Sequence, residues 1–286
     1  MTSLRFGICT DQNLSWPVNV ERWQYFEQLG YDSLWLCDHL IQPSHPDGPY
    51  FEGWTLLAAL ATQTERARIG ILVSSNTFRH PALLAREAVT VDHISNGRLE
   101  LGLGAGWYLP EHTMFGLDFP ETRELVDRFR EAVELLDRYL RVDTSSYDGR
   151  YYQLREATNR PAPVQHPRPP LVLGAKGPRM LRIVARYADT WNASGSVSEM
   201  AERNKILDEA CARIGRDPNT IVRSLYGWAA IMPDDPWASA DAFEEVINRY
   251  REAGVNEFII DAPGADRLDI VERVATDVLP RLRGDE

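Results

Sequence analysis

The sequence predicts a single (β/α)8 barrel, the TIM-barrel fold, as one domain over residues 1–286. Short apolar runs alternate with amphipathic helical patterns, and such alternation implies a sheet of parallel strands. The alternation gives eight strand–helix units within 286 residues, which fits one closed barrel. A single segment, about 142–169, interrupts it, and we predict an insertion there between the fourth and fifth strands. An open, doubly wound sheet is the alternative.

Each strand is a short run of aliphatic and aromatic residues followed by polar residues or glycine. In chain order the predicted strands are 4–9, 32–37, 67–73, 98–104, 170–175, 188–194, 220–232 and 256–262. The helices repeat apolar residues at spacings of three and four. They are predicted over 18–30, 54–65, 81–95, 122–141, 178–188, 198–213, 239–253 and 266–282. Gly30 is typical of a helix end and Pro81 of a helix start, and 147–154 predicts a hairpin turning at Asp148–Gly149.

The composition excludes several classes of function. The formal net charge is -11, and an acidic surface repels nucleic-acid phosphates. We see neither a signal sequence nor an apolar run of membrane-spanning length. The three cysteines form no C-x-x-C pair and the histidines lack ligand spacing, so we expect no metal site. We therefore predict a cytoplasmic enzyme that acts on a small molecule without nucleic-acid or membrane partners.

The active site of a barrel lies at the carboxyl ends of its strands. Asp11 follows the first predicted strand, Asp38 and His39 follow the second, and Asn192 lies at the end of the sixth. His39 is the main catalytic candidate, with Asp38 beside it, because an imidazole can move a proton near neutral pH. The alternative is that His39 only donates a hydrogen bond. Aspartate and asparagine also stabilise turns and helix starts, so some of these positions are open to that explanation.

The stretch LGLGAGWY, 101–108, resembles a dinucleotide-binding fingerprint but fails its spacing. That fingerprint requires G-x-G-x-x-G leading directly into a helix. Here the third glycine comes one residue early and Trp107 takes its place. Pro110, Gly116 and Pro120 then prevent one continuous amphipathic helix. We predict a loop at this strand end instead.

Several blocks together resemble the luciferase-like monooxygenases, and within them the coenzyme F420-dependent oxidoreductases. The block DHISNGRLELGLGAGW is the most specific of them, because Asn96–Gly97–Arg98 and three glycines occur together. The resemblance covers nearly the whole chain, and the family fold agrees with the counted barrel. The blocks that carry it are DH at 38–39, TFRHPALLARE at 77–87, DHISNGRLELGLGAGW at 92–107, YDGRYYQL at 147–154 and PPLVLGAKGPRMLRIVARYADTWN at 169–192.

The resemblance implies hydride transfer between coenzyme F420 and an unidentified organic substrate, in a homodimer. An FMN-dependent monooxygenase using oxygen, and a non-catalytic flavin-binding subunit, are the alternatives. Two glycine loops would hold the phosphate-bearing chain of the cofactor, since glycine lets backbone N–H groups approach an anion closely. A non-proline cis peptide is implied near Leu72–Val73, against the flavin ring. The implied cofactor-binding residues are Asp11, Leu72, Val73, Ser74, Gly104, Ala105, Gly106, Trp107, Gly174, Ala175, Lys176, Gly177 and Asn192.

One position departs from the sugar-phosphate dehydrogenase branch of this family. In that branch an acidic residue directly follows the glycine pair of the fourth strand, whereas here Trp107 stands there. We therefore assign no sugar phosphate as the substrate. Trp107, Tyr50, Phe51, Trp54 and Trp191 instead suggest an aromatic, apolar cavity, although aromatic residues at such positions also serve ordinary packing.

Overall fold

The computed structural model describes residues 4–284 and confirms the closed parallel barrel. Strand β1 pairs with both β2 and β11, and β3 and β4 both pair with β5, so the sheet closes on itself. β3 and β4 are two halves of one barrel strand. The strands are β1 (Arg5–Cys9), β2 (Ser33–Leu36), β3 (Arg68–Ile71), β4 (Ser74–Ser75), β5 (Leu99–Gly104), β6 (Thr144–Asp148), β7 (Gln153–Thr158), β8 (Leu171–Gly174), β9 (Thr190–Ala193), β10 (Val222–Gly227) and β11 (Glu257–Asp261).

Helices surround the barrel and cover it with their apolar faces. All eight helical patterns correspond to helical segments, with ends shifted by a few residues, and the last pattern is divided. The helices are α1 (Trp16–Gln28), α2 (Gly53–Leu60), α3 (Pro81–Ile94), α4 (Leu109–Phe115), α5 (Thr122–Tyr139), α6 (Pro178–Tyr187), α7 (Val197–Arg213), α8 (Ala240–Glu252), α9 (Leu268–Arg273) and α10 (Leu279–Arg283). A π-helical turn, Val274–Val278, joins α9 to α10, so the predicted helix 266–282 is not regular. No helix of the described chain is both long and apolar enough to cross a membrane.

The segment between α5 and β8 carries the antiparallel hairpin β6–β7, which forms its own two-stranded sheet. Asp148 pairs with Gln153, so the chain turns over 149–152, next to the predicted Asp148–Gly149 turn. The strands extend beyond the predicted 147–154 on both sides. Tyr139 donates a hydrogen bond of 2.7 Å to the carbonyl of Thr158, which ties the hairpin to α5.

One predicted strand was too long, and one short helix was not predicted. The strand predicted over 220–232 ends at Gly227, because the next residues turn across the barrel mouth. In that turn the N–H of Met232 donates to the carbonyl of Trp228, and the N–H of Ala229 donates to the Asp261 carboxylate. The segment after LGLGAGWY contains the short helix α4, which the sequence analysis did not predict. Its proline lies in the first turn, where a missing N–H is tolerated.

The Asn96–Gly97–Arg98 block has a structural role at the start of β5. Asn96 and Gly97 have φ of 55° and 82°, which reverses the chain after α3. The Arg98 guanidinium then donates to the carbonyls of Ala61, Thr64 and Ala67 at 2.8–2.9 Å. This block therefore fixes the amino end of the barrel, opposite the cavity.

Candidate active site

A cavity of about 830 Å³ opens at the carboxyl ends of the barrel strands, where the sequence analysis placed the site. Its floor is a buried cluster inside the barrel that includes Trp35, Val172 and Ile259. Every predicted site residue except Gly177 lines this cavity. The predicted residues that line it are Asp11, Asp38, His39, Leu72, Val73, Ser74, Gly104, Ala105, Gly106, Trp107, Gly174, Ala175, Lys176 and Asn192.

His39 is held by a carboxylate that the sequence analysis missed. Its Nδ1 lies 3.0 Å from Glu111 Oε2, and Glu111 is fully buried in the first turn of α4. The other oxygen of Glu111 accepts from the backbone N–H groups of Leu40 and Ile41. Nε2 has no hydrogen-bond partner within residues 4–284, so it is the nitrogen available to a ligand. Glu111 thus fixes the tautomer and orientation of the ring.

The same contact sets the charge preference of both groups. Burial disfavours the charged imidazole, but the hydrogen bond to Glu111 and the neighbouring Cys37 raise the pKa of His39 above its ordinary value. Burial likewise opposes the Glu111 carboxylate, but His39 and two backbone N–H groups lower the pKa of Glu111. A histidine of this kind can hold a proton near neutral pH and release it to a reacting oxygen.

Asp38, the second catalytic candidate of the sequence analysis, is held in an ion pair with Arg79. Both of its oxygens bind Arg79, at 2.7 and 3.0 Å, and one also accepts from the Ser75 N–H at 2.7 Å. The side chain is almost completely buried. A carboxylate with both oxygens occupied by a guanidinium positions its neighbours and is poorly placed to accept a proton from a ligand. Asp38 therefore anchors β4 and the chain beside His39.

The glycines at 104 and 174 make room for Val73. A Cβ at either position would lie 2.7 or 2.8 Å from Val73 Cγ2, closer than packed carbon atoms approach. The Leu72–Val73 peptide is cis, as the family resemblance implied, and the Val73 side chain lies against both Gly104 and Gly174. Packing against Val73 therefore explains why these two positions are glycine, and the anion contact that the sequence analysis assigned to them stays a prediction.

Gly106, Lys176 and Gly177 have the backbone and charge features that suit an anion. Gly106 has φ of 91°, and its loop precedes α4 without being part of it, as predicted. Gly177 caps α6 without any side-chain hydrogen bond, so the first N–H groups of that helix have no side-chain cap. Lys176 makes no salt bridge with any described residue, and burial lowers its pKa. An uncapped helix start beside a lysine is suited to bind a phosphate.

The opposite wall of the cavity consists of residues that the sequence analysis did not select. The Tyr226 hydroxyl donates to Asp261 at 2.7 Å, and burial raises the pKa of Asp261 to about 6. Cys9 and Cys37 bring their sulfur atoms to 3.8 Å beside this pair. These side chains come from β1, β10, β11 and the end of β2, strands separated in sequence, so no local motif indicates them.

The aromatic lining is only partly the predicted one. Trp107 and Tyr50 line the cavity, and Trp107 packs against Trp228 with ring centroids 5.9 Å apart. Trp54 and Trp191 are buried behind the cavity, where their indole N–H groups bind Ser74 Oγ and the Ala175 carbonyl. Phe51 is exposed and does not contribute. Tyr108, Tyr226 and Phe78 line the cavity in their place. Among the described residues no group of histidine, cysteine and acidic side chains could hold a metal ion.

The model of the luciferase-like monooxygenase family matches residues 4–273. The chain belongs to this family. It is similar to the F420-dependent glucose-6-phosphate dehydrogenase of Microbacterium testaceum, with 28% identity over 90% of each chain. Its fold is similar to that of an F420-dependent secondary alcohol dehydrogenase solved with an F420–acetone adduct. That likeness has a TM-score of 0.84 at 20% identity and covers 96% of this chain and 98% of the other.

The fold is also similar to the FMN-bound oxygenating constituent of 3,6-diketocamphane monooxygenase from Pseudomonas putida. The TM-score is 0.76 at 17% identity, and the likeness covers 98% of this chain and 99% of that one. The barrel is therefore common to F420-dependent and FMN-dependent proteins, and the fold alone does not distinguish the two cofactors.

Proposed function

We propose that this protein is an oxidoreductase that transfers a hydride between coenzyme F420 and a small organic substrate. The observation that carries the proposal is the His39–Glu111 pair at the mouth of a cavity that also has an uncapped helix start and Lys176. The F420-dependent relatives favour the deazaflavin over FMN. Coenzyme F420 supplies a two-electron hydride carrier when bound.

The residues present fit such a cofactor. Gly104 and Gly174 admit the Val73 side chain, which forms part of the cavity wall between the two glycine loops. The α6 start and Lys176 would hold the phosphate, and the Gly106–Trp107 backbone would form the facing loop. His39 Nε2 would accept the hydroxyl proton of an alcohol substrate, or donate it to a carbonyl in the reverse direction. Glu111 stabilises the imidazolium that results.

The deciding experiment titrates the purified protein with coenzyme F420 and, separately, with FMN. Quenching of tryptophan fluorescence measures the binding. We expect saturable binding of F420 and much weaker binding of FMN. Lys176→Gln should weaken F420 binding, while the phosphate-free deazaflavin should bind both proteins equally, because Lys176 acts on the phosphate. Tight FMN binding without F420 binding would instead support the monooxygenase. Tight F420 binding without turnover of any alcohol or carbonyl would support the non-catalytic subunit.

We infer a homodimer from the family resemblance. Helix α3 leaves Leu83 and Ile94 exposed at 53% and 41%, and such side chains are suited to burial against a second copy. Cys9, Cys37 and Cys211 are free thiols, which suits a reducing compartment, and we keep a cytoplasmic location as part of the proposal. Sedimentation at micromolar concentration should give twice the chain mass. A Leu83→Glu variant should shift the protein toward monomer, and a wild-type protein that sediments only as monomer would contradict the dimer.

A further inference from the structure

Two of the three cysteines meet on the wall of the main cavity. Cys9 ends β1 and Cys37 directly follows β2, and their sulfur atoms are 3.8 Å apart. Both are free thiols. Cys9 lies opposite Trp35 in the register of β1 and β2, and alternate residues of a strand share one face, so all three side chains point into the barrel. We call Cys9 and Cys37 the thiol pair.

The two thiols differ in their preference for charge. The hydrogen bond from Cys9 lowers the pKa of Cys37 below its ordinary value. His39 and the Tyr226 hydroxyl also lower it, whereas burial opposes them. The same contact, together with burial, raises the pKa of Cys9. The pair therefore shares one proton, which favours a thiolate at Cys37 and a thiol at Cys9. The thiolate is the form of cysteine that attacks an electrophile.

The main cavity gives a small electrophile a route to this thiolate. Cys37 is partly exposed, and both members of the thiol pair line the cavity of about 830 Å³ that opens at the barrel mouth. Cys9 is almost fully buried beside it. The third cysteine, Cys211, is fully buried in α7 and does not line the cavity. An oxidant that enters the cavity therefore meets Cys37 first, with Cys9 as the nearest second thiol.

We propose that the thiol pair is an oxidation site, where a hydroperoxide converts the two thiols into a Cys9–Cys37 disulfide. The Cys37 thiolate attacks one oxygen of hydrogen peroxide, the O–O bond breaks, and the leaving hydroxide is protonated to water, so that Cys37 becomes a sulfenic acid. The Cys9 sulfur then attacks the Cys37 sulfur, the S–O bond breaks, and a second water leaves with the Cys9 proton. The thiol pair loses two electrons, and the peroxide is reduced to two molecules of water. The sulfur atoms have to approach from 3.8 Å to about 2 Å.

The disulfide acts on the active site through the segment that carries His39. Cys37 lies two residues before His39, and its backbone N–H donates to Gln12 Oε1 at 2.7 Å. Movement of Cys37 toward Cys9 pulls this segment, while Glu111 holds the imidazole from the other side. We expect turnover to fall about tenfold or more, since a misplacement of about 1 Å can cost about a hundredfold. Cellular thiols reduce such a disulfide again, so the effect is reversible. The loss of turnover rests on the proposed function, whereas the disulfide itself does not.

The test treats the purified wild type with an equimolar amount of hydrogen peroxide, blocks the remaining thiols and digests the protein with trypsin. Arg22 is the one tryptic site between the two cysteines, so Cys9 falls in peptide 6–22 and Cys37 in peptide 23–66. We expect mass spectrometry to find these two peptides joined, Cys211 still blocked as a free thiol, and turnover lowered. Dithiothreitol should separate the peptides and restore turnover.

Cysteine variants separate the steps. Cys37→Ser should form no cross-link, and peroxide should not change its turnover. In Cys9→Ser the Cys37 sulfenic acid has no partner, so dimedone should label it. Cys211→Ser is the matched control and should respond as the wild type does.

A treated wild type that keeps three free thiols, or that instead joins Cys211 of two copies, would overturn the inference. Joined peptides with unchanged turnover would overturn the effect on the active site. A reduced protein without any turnover would contradict the proposed function, while the joined peptides would still establish the oxidation site.

Discussion

His39 is the side chain on which the proposed proton transfer depends. Its Nδ1 is occupied by Glu111, so only Nε2 can serve a reacting group. We expect His39→Asn to lower kcat by about a hundredfold or more, the usual effect of losing an acid–base group. The F420 affinity should change much less. His45→Asn removes a histidine from the same cavity and is the control. Normal turnover by His39→Asn would show that another group carries the proton.

Glu111 should act on the reaction through His39. The hydrogen bond to Glu111 raises the pKa of His39, so alcohol oxidation by the wild type should increase with pH through that raised pKa, as the base form appears. In Glu111→Gln the negative charge is lost, the pKa of His39 falls, and the rising limb of the profile should move to lower pH. The kcat at the optimum should also fall because the imidazolium is less stabilised. An unmoved profile would remove Glu111 from the mechanism.

Glu257 lies at the amino end of the barrel and should make the free energy of unfolding depend on pH. It is fully buried 3.1 Å from Arg5, and burial raises its pKa from 4.5 to about 7. The folded protein then holds a proton that the unfolded chain releases between these values, so the free energy of unfolding falls as pH rises through this range. The fall amounts to about 3 kcal/mol. Urea denaturation of Glu257→Gln should show a smaller loss between about pH 5 and about pH 8. Equal losses in both proteins would show that Glu257 does not cause the pH dependence. Asp261, whose pKa is also raised, remains in both proteins and would then be the candidate.

At the scale of elements, the bulge between β3 and β4 and the glycines that face it form one unit. A Cβ at Gly174 would lie 2.8 Å from Val73 Cγ2, so Gly174→Ala should destabilise the protein by about 1–3 kcal/mol. Val73→Ala removes the contacting atom, and the double variant should recover most of that loss. Gly177→Ala is the control, because a Cβ there meets nothing within 4 Å. Additive losses in the double variant, measured by urea denaturation, would show that Val73 and Gly174 do not compete for space.

The sequence predicted elements well where one local pattern decides them. The apolar runs of β1 and β11 are local properties, and they located the strand ends that line the cavity. The 3.6-residue pattern of α5 is equally local, and it located that helix. Helix α4 was missed because seven residues with a proline in the first turn carry too little periodic signal. Glu111 was missed with it, although an acid beside the glycine loop of β5 was the available signal. The packing of Val73 against two glycines was missed because it joins residues far apart in sequence.

At the scale of the whole molecule, the cavity depends on barrel closure. The cavity wall takes side chains from both ends of the chain, Asp11 after β1 and Asp261 at the end of β11. Closure follows from counting eight units, so the location of the site was predictable. The partners inside it were not, because strand neighbours such as β1 and β11 come together only in the closed sheet.

Because loops from many strands build the cavity, its ligand should bind the folded protein and not the unfolded chain. Binding of that kind raises the free energy of unfolding by RT ln(1 + [L]/Kd), which is about 2.7 kcal/mol at a hundredfold excess over Kd. We expect F420 at such an excess to raise the urea midpoint by that free energy divided by the m-value of unfolding. FMN at the same concentration should have little effect. The His39→Asn variant should still show the shift with F420, because the variant keeps its affinity for the cofactor. Gly174→Ala, which forces Val73 to move within the cavity wall, should show a smaller shift. A stabilisation by FMN that equals or exceeds that by F420 would reverse the choice of cofactor while leaving the barrel, the cavity and the His39–Glu111 pair in place.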